Sequence, residues 1–409
     1  MSQFARRPEP APLDQSAVAR TLAPFTAART LPRAAYVDPD VLAWERRHLF
    51  EASWVCAGRT DQLGVTSATP RAQFATRIGT TGVLLVRDAA EQGATLRAFA
   101  NICRHRGHEL LPCGSGTTRN TLLCPYHGWA YGLDGALKHA PRFGERVEQA
   151  DDLALVELGV AEWGGWIFVN VDGQAPPLAE HLGGLADVAA NWECHRLAVG
   201  ATHHYELQAN WKVGIENYHE CYHCPLIHPE LSRISPPDSG DNVDDLPGLF
   251  VGGTMDLAEH ADTMSLDGRS HGVPLPGLTD AERRQVLYFN LFPNLLISLH
   301  PDFVMTHRLE PLTPTTTAVE CQWLFDPAAV ADPGFDPAYA VDFWDLTNRQ
   351  DWAAVESVQR GLNSPSYIPG VFGDHEDAVY HFQTMVASAY AGLPVERGVV
   401  STSSTTGER

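Results

Sequence analysis

Four residues in two short segments have the types and the spacing of metal ligands. Cys103 and His105 lie two positions apart, and Cys124 and His127 lie three positions apart further along the chain. In a [2Fe-2S] cluster of the Rieske type, two cysteines hold one iron and two histidines hold the other. Because each segment offers one thiolate and one imidazole, two opposed loops could clasp such a cluster between them.

The residues around these ligands agree with the same chemistry. Gly107 follows the first pair and Gly128 follows the second, at places where backbone must pass close to sulfur. A structural zinc site of the Cys2His2 type is one alternative, and ordinary core residues are another. Zinc sites usually pair like ligands, as C-x-x-C and H-x3-5-H, so the mixed order here favours a Rieske cluster. Cys113, between the two pairs, is predicted to be a buried thiol.

A second group of possible ligands lies in residues 216–231 (ENYHECYHCPLIHPEL), which contain three histidines, two cysteines and three glutamates. Two histidines and one carboxylate form the facial triad that leaves positions open on Fe(II) for dioxygen and substrate. The histidines could be His219 and His223, which share one helical face. They could instead be His223 and His228, if Pro225 breaks the helix between them.

The cysteines of this segment leave another metal possible. Cys221 and Cys224 form a C-x-x-C pair that could hold zinc together with His223 or His228. Cysteines in a chain of this type are more often buried thiols or metal ligands than disulfides. Both thiols could therefore also be plain buried residues beside an iron site.

The carboxylate of a facial triad must come from elsewhere, and a helix predicted over residues 339–362 offers three aspartates. These are Asp342, Asp345 and Asp351. The residues aligned with Asp351 on one helical face are Val355, Val358 and Leu362. A charged group aimed into a core is costly unless it is paired or bound to metal. Asp351 is therefore the preferred candidate, and the alternative is a partly exposed aspartate near the helix start.

The sequence patterns of the elements that must position these residues change along the chain. Residues 38–52 (DPDVLAWERRHLFEA) have apolar positions at helical spacing and predict a helix. From about Trp54 to Val171, short strand-like runs separated by turn residues predict a small all-β domain. After Pro176 strand-like and helical pieces alternate, which indicates a larger domain whose antiparallel sheet is covered by helices.

The predicted fold class is therefore α+β, with four segments along the chain. We predict an N-terminal segment over residues 1–45, a Rieske [2Fe-2S] domain over 46–172, a catalytic mononuclear iron domain over 173–398 and a disordered tail over 399–409.

Composition narrows the function classes. Acidic residues number 50 and basic residues 29, and the formal charge of -21 disfavours nucleic acid as a partner but suits a small cation. No run of eighteen apolar residues and no apolar N-terminal stretch is present, so a cytoplasmic protein is expected. The chain has no G-x-G-x-x-G unit for a dinucleotide, so electrons would have to come from a separate protein.

Taken together, these motifs resemble the α subunits of Rieske non-haem iron oxygenases, from the helix near residue 40 to about residue 390. In that family the two mixed pairs hold the cluster, which implies Cys103, His105, Cys124 and His127 as its ligands. The second family signature is an Asn-Trp-Lys followed by a helix with Glu-Asn, an acidic residue and two histidines five apart. Its members here are Asn210, Trp211, Lys212, Glu216, Asn217, Glu220, His223 and His228.

The resemblance chooses between the open alternatives for the iron. It implies His223 and His228 rather than His219 as ligands, and the segment QDWAAVESVQRGL supports Asp351 as the third. It places Asn217 and Glu220 among the catalytic residues. In ring-hydroxylating dioxygenases of the family an aspartate at the position of Glu220 links the cluster of one subunit to the iron of its neighbour.

Glu220 with the string ECYHCPLIHPEL resembles the branch that includes glycine betaine monooxygenase, carnitine oxygenase and stachydrine demethylase. The resemblance implies a homotrimer that activates O2 at Fe(II), fed with NAD(P)H electrons by a separate flavin and iron-sulfur reductase or by a ferredoxin. The expected reaction is N-demethylation of a small quaternary ammonium compound, with an aromatic ring hydroxylase as the rival. A Rieske electron carrier and a zinc-stabilised binding protein are the non-oxygenase alternatives.

Overall fold

The computed structural model describes residues 9–64, 71–88, 95–118, 120–144 and 152–400. These residues form two compact units. The smaller unit consists of Arg46–His181 and Cys194–Leu197, and the larger one contains the residues up to Glu45, Leu182–Glu193 and those from Ala198 onward. Residues 401–409 of the predicted C-terminal tail lie outside the described residues.

The described residues of the smaller unit form ten short strands. They are β1 (Val55–Arg59), β2 (Arg71–Ile78), β3 (Thr81–Asp88), β4 (Thr95–Ala100), β5 (Gly114–Thr117), β6 (Thr121–Leu123), β7 (Ala130–Gly132), β8 (Leu137–His139), β9 (Glu157–Trp163) and β10 (Trp166–Asn170). Seven of them form an antiparallel sheet in the order β1-β10-β9-β4-β3-β2-β5, and β6-β7-β8 form a second, three-stranded sheet. The aromatic and β-branched run of β10 is buried at every position, as suits an inner strand.

The larger unit is organised around one antiparallel sheet of seven strands. They are β11 (Ala198–Leu207), β12 (Asp241–Asn242), β13 (Phe250–Asp256), β14 (Gln285–Leu291), β15 (Leu295–Leu299), β16 (Val304–Thr313) and β17 (Thr316–Phe325), in the order β11-β17-β16-β15-β14-β13-β12. The strand β15 (LLISL) is buried at all five positions. A strand that is apolar throughout needs cover on both faces.

Helices make up the rest of the described secondary structure. They are α1 (Gln15–Thr21), α2 (Ala34–Val37), α3 (Pro39–Glu45), α4 (Leu178–Leu182), α5 (Leu185–Val188), α6 (Trp211–Tyr218), α7 (Cys224–Ile227), α8 (Pro229–Ile234), α9 (Pro327–Ala331), α10 (Ala338–Leu362) and α11 (Asp377–Tyr390). Short 3-10 helices cover Phe25–Ala27, Thr60–Leu63, Ala190–Trp192, Cys194–Arg196, Pro237–Ser239 and Glu282–Arg284, and Arg46–Phe50 form a π-helical turn.

The long helix α10 is fixed on the sheet of the larger unit by aromatic residues. Phe343 and Trp344 of α10 pack in one buried cluster with Trp323 and Phe325 of β17. Burying large aromatic side chains is among the strongest sources of packing energy, about 1.5 to 3 kcal/mol for each. This packing aims the following turns of α10, which carry Asp351, at the segment between α6 and α8.

The helix predicted over residues 38–52 is shorter than expected. Regular α-helical bonding ends at Glu45, and the N–H of Glu51 bonds to the carbonyl of Arg46, five residues earlier, at 2.9 Å. A wider turn of this kind is a π-type insertion at the end of the helix. Within the described parts of the chain, no helix has both the length and the apolar character needed to cross a bilayer.

Candidate functional site

Two loops of the smaller unit carry the predicted cluster ligands in matching backbone turns. The N–H of Gly107 donates to the carbonyl of Cys103 at 3.0 Å, and the N–H of Gly128 donates to the carbonyl of Cys124 at 3.1 Å. Both glycines have φ of 75°, a conformation that a Cβ atom disfavours. The two turns are therefore alike although the first pair is spaced C-x-H and the second C-x-x-H.

The four predicted cluster ligands come together between these loops. The rings of His105 and His127 lie 4.7 Å apart, centroid to centroid. Cys103 and Cys124 are each only 2% exposed, whereas His127 is exposed and His105 half-buried. A two-iron cluster held by thiolates on one iron and imidazoles on the other would fit this arrangement of two buried cysteines and two more accessible histidines.

A tyrosine beneath the loops contacts the first thiolate. The hydroxyl of Tyr131 lies 3.3 Å from Cys103 Sγ and accepts a hydrogen bond from the N–H of Arg104 at 3.0 Å. With its lone pair facing that N–H, the hydroxyl can donate to the sulfur. Burial raises the pKa of Tyr131, so it stays a neutral donor. The ring of His105 also stacks on Trp129 at 4.9 Å.

The larger unit brings three predicted iron ligands to one point. Nε2 of His223 lies 3.2 Å from Nε2 of His228 and 3.3 Å from Oδ1 of Asp351, and the latter two atoms are 2.8 Å apart. Donors that each lie about 2.1 Å from one metal ion at right angles are roughly 3 Å apart. The three separations and the donor types therefore fit a mononuclear iron in a facial triad.

Each imidazole of this triad is oriented by an oxygen on its other nitrogen. Nδ1 of His223 donates to Oε1 of Glu220 at 2.5 Å, and Nδ1 of His228 donates to Oε1 of Gln350 at 2.7 Å. An acceptor at Nδ1 places the proton there and leaves the Nε2 lone pair for a metal. Neighbouring Asn217 extends its amide to 3.5 Å from His223 Nε2.

The pKa shifts of the three triad residues are those expected of a site that binds a cation. Burial lowers the pKa of His223, but the hydrogen bonds and charges of Asp351 and Glu220 together outweigh burial and raise the pKa to about 9. Burial also lowers the pKa of His228, but the hydrogen bond and charge of Asp351 together with the hydrogen bond to Gln350 outweigh it, so the pKa is raised. Burial would raise the pKa of Asp351, yet the two histidines lower it. A metal ion that binds here would displace any proton on Nε2 and leave the proton on Nδ1 of each ring.

The signature Asn210-Trp211-Lys212 anchors the helix that precedes the ligands. The side chain of Asn210 caps α6 by accepting from the N–H of Lys212 at 3.0 Å. Trp211 Nε1 donates to Glu45 at 3.0 Å, and the buried ammonium of Lys212 contacts the same carboxylate at 2.5 Å. Burial lowers the pKa of Lys212 while Glu45 opposes that shift. A buried charge needs such a partner.

The helix break between the predicted histidines is not where Pro225 suggested. The helix α6 already ends at Tyr218, with His219 as its C-cap. Pro225 lies in the first turn of α7, where a missing N–H costs nothing. The expectation that this proline ends a helix was therefore wrong. His219 is buried against Phe382, burial lowers its pKa to about 3, and it does not share the donor cluster.

The two cysteines beside His223 are joined. Cys221 and Cys224 form a disulfide, so the expectation of free thiols was wrong for this pair, and neither sulfur is available to hold zinc. The sequence separation of three residues closes a small loop that contains His223. Cys113 is exposed rather than buried, because it lies in the turn region just before β5.

Among the three candidate aspartates of α10, only Asp351 reaches His223 and His228. Asp342 is exposed, and Asp345 instead accepts from Tyr205 and Arg349, both at 2.7 Å. The apolar face predicted around Asp351 is partly wrong, since Val358 is 51% exposed. Val355 and Leu362 are buried as expected.

A cavity of about 510 Å³ opens beside the triad and includes residues that sequence reasoning missed. Tyr218, Tyr288 and Trp344 form an aromatic wall in which Tyr288 lies 5.9 Å from Tyr218 and 6.3 Å from Trp344, in both cases edge to face. These residues come from α6, β14 and α10, so no local motif could group them. Gln350 was also missed, because only its position next to Asp351 marks it.

Comparison with known proteins gives two family matches. The Rieske [2Fe-2S] domain matches residues 53–156, and the ring hydroxylating alpha subunit (catalytic domain) matches residues 194–392. The first covers the four predicted cluster ligands, and the second covers the segment with the two histidines and Asp351.

Relatives that cover most of the chain are oxygenase subunits of the same kind. The glycine betaine monooxygenase oxygenase subunit of Chromohalobacter salexigens is 32% identical over 84% of this chain and 81% of its own length. The carnitine monooxygenase oxygenase subunit of Acinetobacter baumannii is 36% identical over 83% of this chain and 86% of its own.

One solved structure extends the likeness to three dimensions. It is a quaternary ammonium Rieske monooxygenase, described in terms of carnitine oxidation by gut microbiota and inter-subunit electron transfer. It matches with a TM-score of 0.76 at 26% identity and covers 93% of this chain and 100% of that one.

Proposed function

Since this chain belongs to the Rieske non-haem iron oxygenases as a terminal oxygenase (α) subunit, we propose that it hydroxylates a small quaternary ammonium compound at a carbon attached to nitrogen. The observation that carries the proposal is the aromatic cavity beside the histidine and carboxylate triad. Trimethylammonium groups donate no hydrogen bonds, and aromatic faces hold them at about 0.5 to 2 kcal/mol for each contact.

Family membership also establishes the cofactors and the reaction class. Such an enzyme is an oxidoreductase with a Rieske [2Fe-2S] cluster and a mononuclear iron, and it requires a reductase. In the proposed assignment the cluster is held by Cys103, His105, Cys124 and His127. The mononuclear iron is held by His223, His228 and Asp351. The iron, when bound, supplies the activation of dioxygen.

The proposed reaction inserts one oxygen atom into an N-methyl C–H bond. The substrate, O2, two electrons and two protons give an N-hydroxymethyl compound and water. The C–N bond of that compound then breaks, and a tertiary amine, formaldehyde and one proton leave. NADH supplies both electrons through a separate reductase, in agreement with the absence of a dinucleotide motif from the sequence.

Four side chains carry supporting roles in this proposal. Glu220 and Gln350 hold the imidazoles of His223 and His228 in the orientation that presents Nε2. Asn217, 3.5 Å from His223 Nε2, offers an amide donor at the same edge of the cavity. Tyr218, whose hydroxyl is held by the carbonyl of Ile297 at 3.0 Å, keeps its ring fixed in the wall.

We further propose a ring of three identical subunits in which the cluster of one chain reduces the iron of the next through Glu220. The outward position of His127 supports this, because the imidazole side of the cluster is the side that another molecule can approach. A head-to-tail contact that closes on itself makes such a ring. Light scattering combined with size-exclusion chromatography tests it, and a fully active monomer would rule it out.

The test of the substrate class uses the loaded enzyme with its reductase and NADH. Glycine betaine, carnitine, stachydrine and choline are compared with benzoate-like and phenolic compounds, and oxygen uptake, formaldehyde and products are measured. We expect oxygen uptake matched to oxidation of at least one quaternary ammonium compound. Asp351→Ala serves as the matched inactive control. Tight coupling to an aromatic acid, with no product from any ammonium compound, would overturn this proposal but not the family assignment.

A further inference from the structure

The charged side chains around the iron cavity are of one sign. Apart from Glu220 and Asp351, its lining includes Asp238, Asp241, Asp374 and Asp377, and no lysine or arginine is found among the described residues that line it. The lining histidines do not reverse this sign. His223 and His228 would hold the iron as neutral imidazoles, and burial lowers the pKa of His219 to about 3 and keeps it neutral. Only the exposed His375 remains.

The four additional carboxylates are not neutralised by cationic side chains nearby. Within the described part of the chain, none of them forms an ion pair with lysine or arginine. The carboxylate of Asp377 accepts from the amide of Asn242 at 2.7 Å, which leaves its charge in place. Arg397 approaches the loop that follows Asn242. Its guanidinium donates to the carbonyls of Val243 and Leu246 and lies over the ring of Phe250.

The aromatic wall of the cavity suits a cation with a polar but neutral end. The rings of Tyr218, Tyr288 and Trp344 can hold a quaternary ammonium. The indole N–H of Trp344 is buried and finds no acceptor among the described residues. One neutral donor can satisfy a hydroxyl or carbonyl oxygen. It cannot offset the repulsion between an ionised carboxylate and the four aspartates of the lining, because neighbouring like charges disfavour each other.

We propose that this cavity selects monocations over zwitterions that carry a carboxylate, an inference that rests on the proposed function. The monocations are quaternary ammonium compounds whose other end is an alcohol, ester or amide. Selection here works mainly by rejection, since like charges disfavour the zwitterion while both ligands present the same ammonium group. A cleft lined by one sign of charge also concentrates ligands of the opposite sign.

The test measures binding rather than turnover, with the cluster-loaded and iron-loaded enzyme held without oxygen or reductant. Calorimetric titrations compare γ-butyrobetaine with its methyl ester, and glycine betaine with choline, so that each pair shares its ammonium group. We expect each monocation to bind at least about tenfold more tightly than its zwitterion, a difference of about 1.4 kcal/mol. The advantage should shrink as salt is added, because exposed carboxylates are screened.

Variants connect the preference to the named carboxylates. Asp241→Asn with Asp377→Asn should reduce the ratio of the two affinities at least about threefold, whereas Asp280→Asn, the same charge change at an exposed residue outside the cavity, should leave it unchanged. Asp241→Asn alone, at the exposed first residue of β12, serves if the double variant does not fold.

The outcomes separate this inference from the proposed function. Equal or tighter binding of the zwitterions would overturn the charge preference, and oxidation of those zwitterions would leave the proposed function intact. If no quaternary ammonium compound of either charge type binds, both proposals fail together. An unchanged affinity ratio in the double variant would also overturn the role of these carboxylates.

Discussion

Glu220 accepts a hydrogen bond from His223 Nδ1 at 2.5 Å, whereas Nδ1 of His228 donates to the side-chain oxygen of the neutral Gln350. The two imidazoles of one site are thus supported by a carboxylate on one side and an amide on the other. Loss of either support weakens how firmly its imidazole is oriented, and outer partners of metal ligands typically change metal affinity 10- to 100-fold. Only Glu220 brings a negative charge.

Glu220→Gln should keep both metals but lower turnover more than tenfold. The amide oxygen of glutamine can still accept from His223 Nδ1, but the charge is gone. Gln350→Glu is the matched control, since it adds a carboxylate at the other imidazole. Iron content, the cluster spectrum and the ratio of product to oxygen consumed are measured. Normal turnover of Glu220→Gln would contradict the proposed part of Glu220 in electron transfer.

His228→Ala and Asp351→Ala should each lose mononuclear iron and all oxygenation, while the Rieske signal in electron paramagnetic resonance stays intact. Both side chains contribute one of three donors that lie within 4.8 Å of one another, and two donors rarely hold Fe(II). His219→Ala provides the comparison, because His219 lies outside the donor cluster. Metal analysis that finds iron lost from His219→Ala and kept in His228→Ala would reverse the ligand assignment.

Tyr131→Phe should lower the reduction potential of the cluster. A hydrogen bond donated to Cys103 Sγ stabilises the reduced, more negative cluster. A bond worth about 1 kcal/mol corresponds to roughly 40 mV for one electron. Tyr126→Phe, an exposed change on the neighbouring loop, is the control. Potentials are measured by redox titration followed by circular dichroism, and an unchanged potential in Tyr131→Phe would show that the hydroxyl does not donate to the sulfur.

Glu216→Gln should make the stability of the protein less dependent on pH. Burial raises the pKa of Glu216 to about 7 despite its hydrogen bond with Tyr36 and the charge of Lys212. The folded state therefore holds the proton more tightly than the unfolded state, where the pKa is near 4.5. Between these values the free energy of unfolding falls as pH rises, by about 2 kcal/mol from this group between pH 5 and 8.

The measurement is the difference in melting temperature between variant and wild type at pH 5 and at pH 8. This difference should shift in favour of Glu216→Gln at the higher pH, where the carboxyl group of the wild type is ionised. Glu259→Gln, at an exposed position, should show no such trend. An equal difference at both pH values would mean that Glu216 does not titrate in this range.

The parts of the molecule that were predictable depend on short-range spacing. The mixed pairs at Cys103 and Cys124 indicated the Rieske cluster, and the α+β fold class is confirmed. The choice of His223, His228 and Asp351 as ligands stays a prediction, although the structure brings their donor atoms together. That choice needed family resemblance, because spacing alone left His219 open.

What could not be predicted depends on contacts between distant segments. Trp344 joins Tyr218 and Tyr288 only because α10 packs across the sheet, and the sequence offers no sign of that. The position of the helix break was misjudged because Pro225 serves as a helix start. The exposed Val358, between the buried Val355 and Leu362, shows that helical spacing alone does not fix which position of an apolar face is covered.

The pairing of Glu45 with Lys212 and Trp211 has a consequence for exchanging parts between related enzymes. Glu45 comes at the end of α3, before the smaller unit begins, and Lys212 comes after that unit ends. A chimaera that took its catalytic part only from residue 198 onward would inherit a buried ammonium without the carboxylate that matches it. Transplants of this catalytic unit should therefore carry their own N-terminal segment through Glu45.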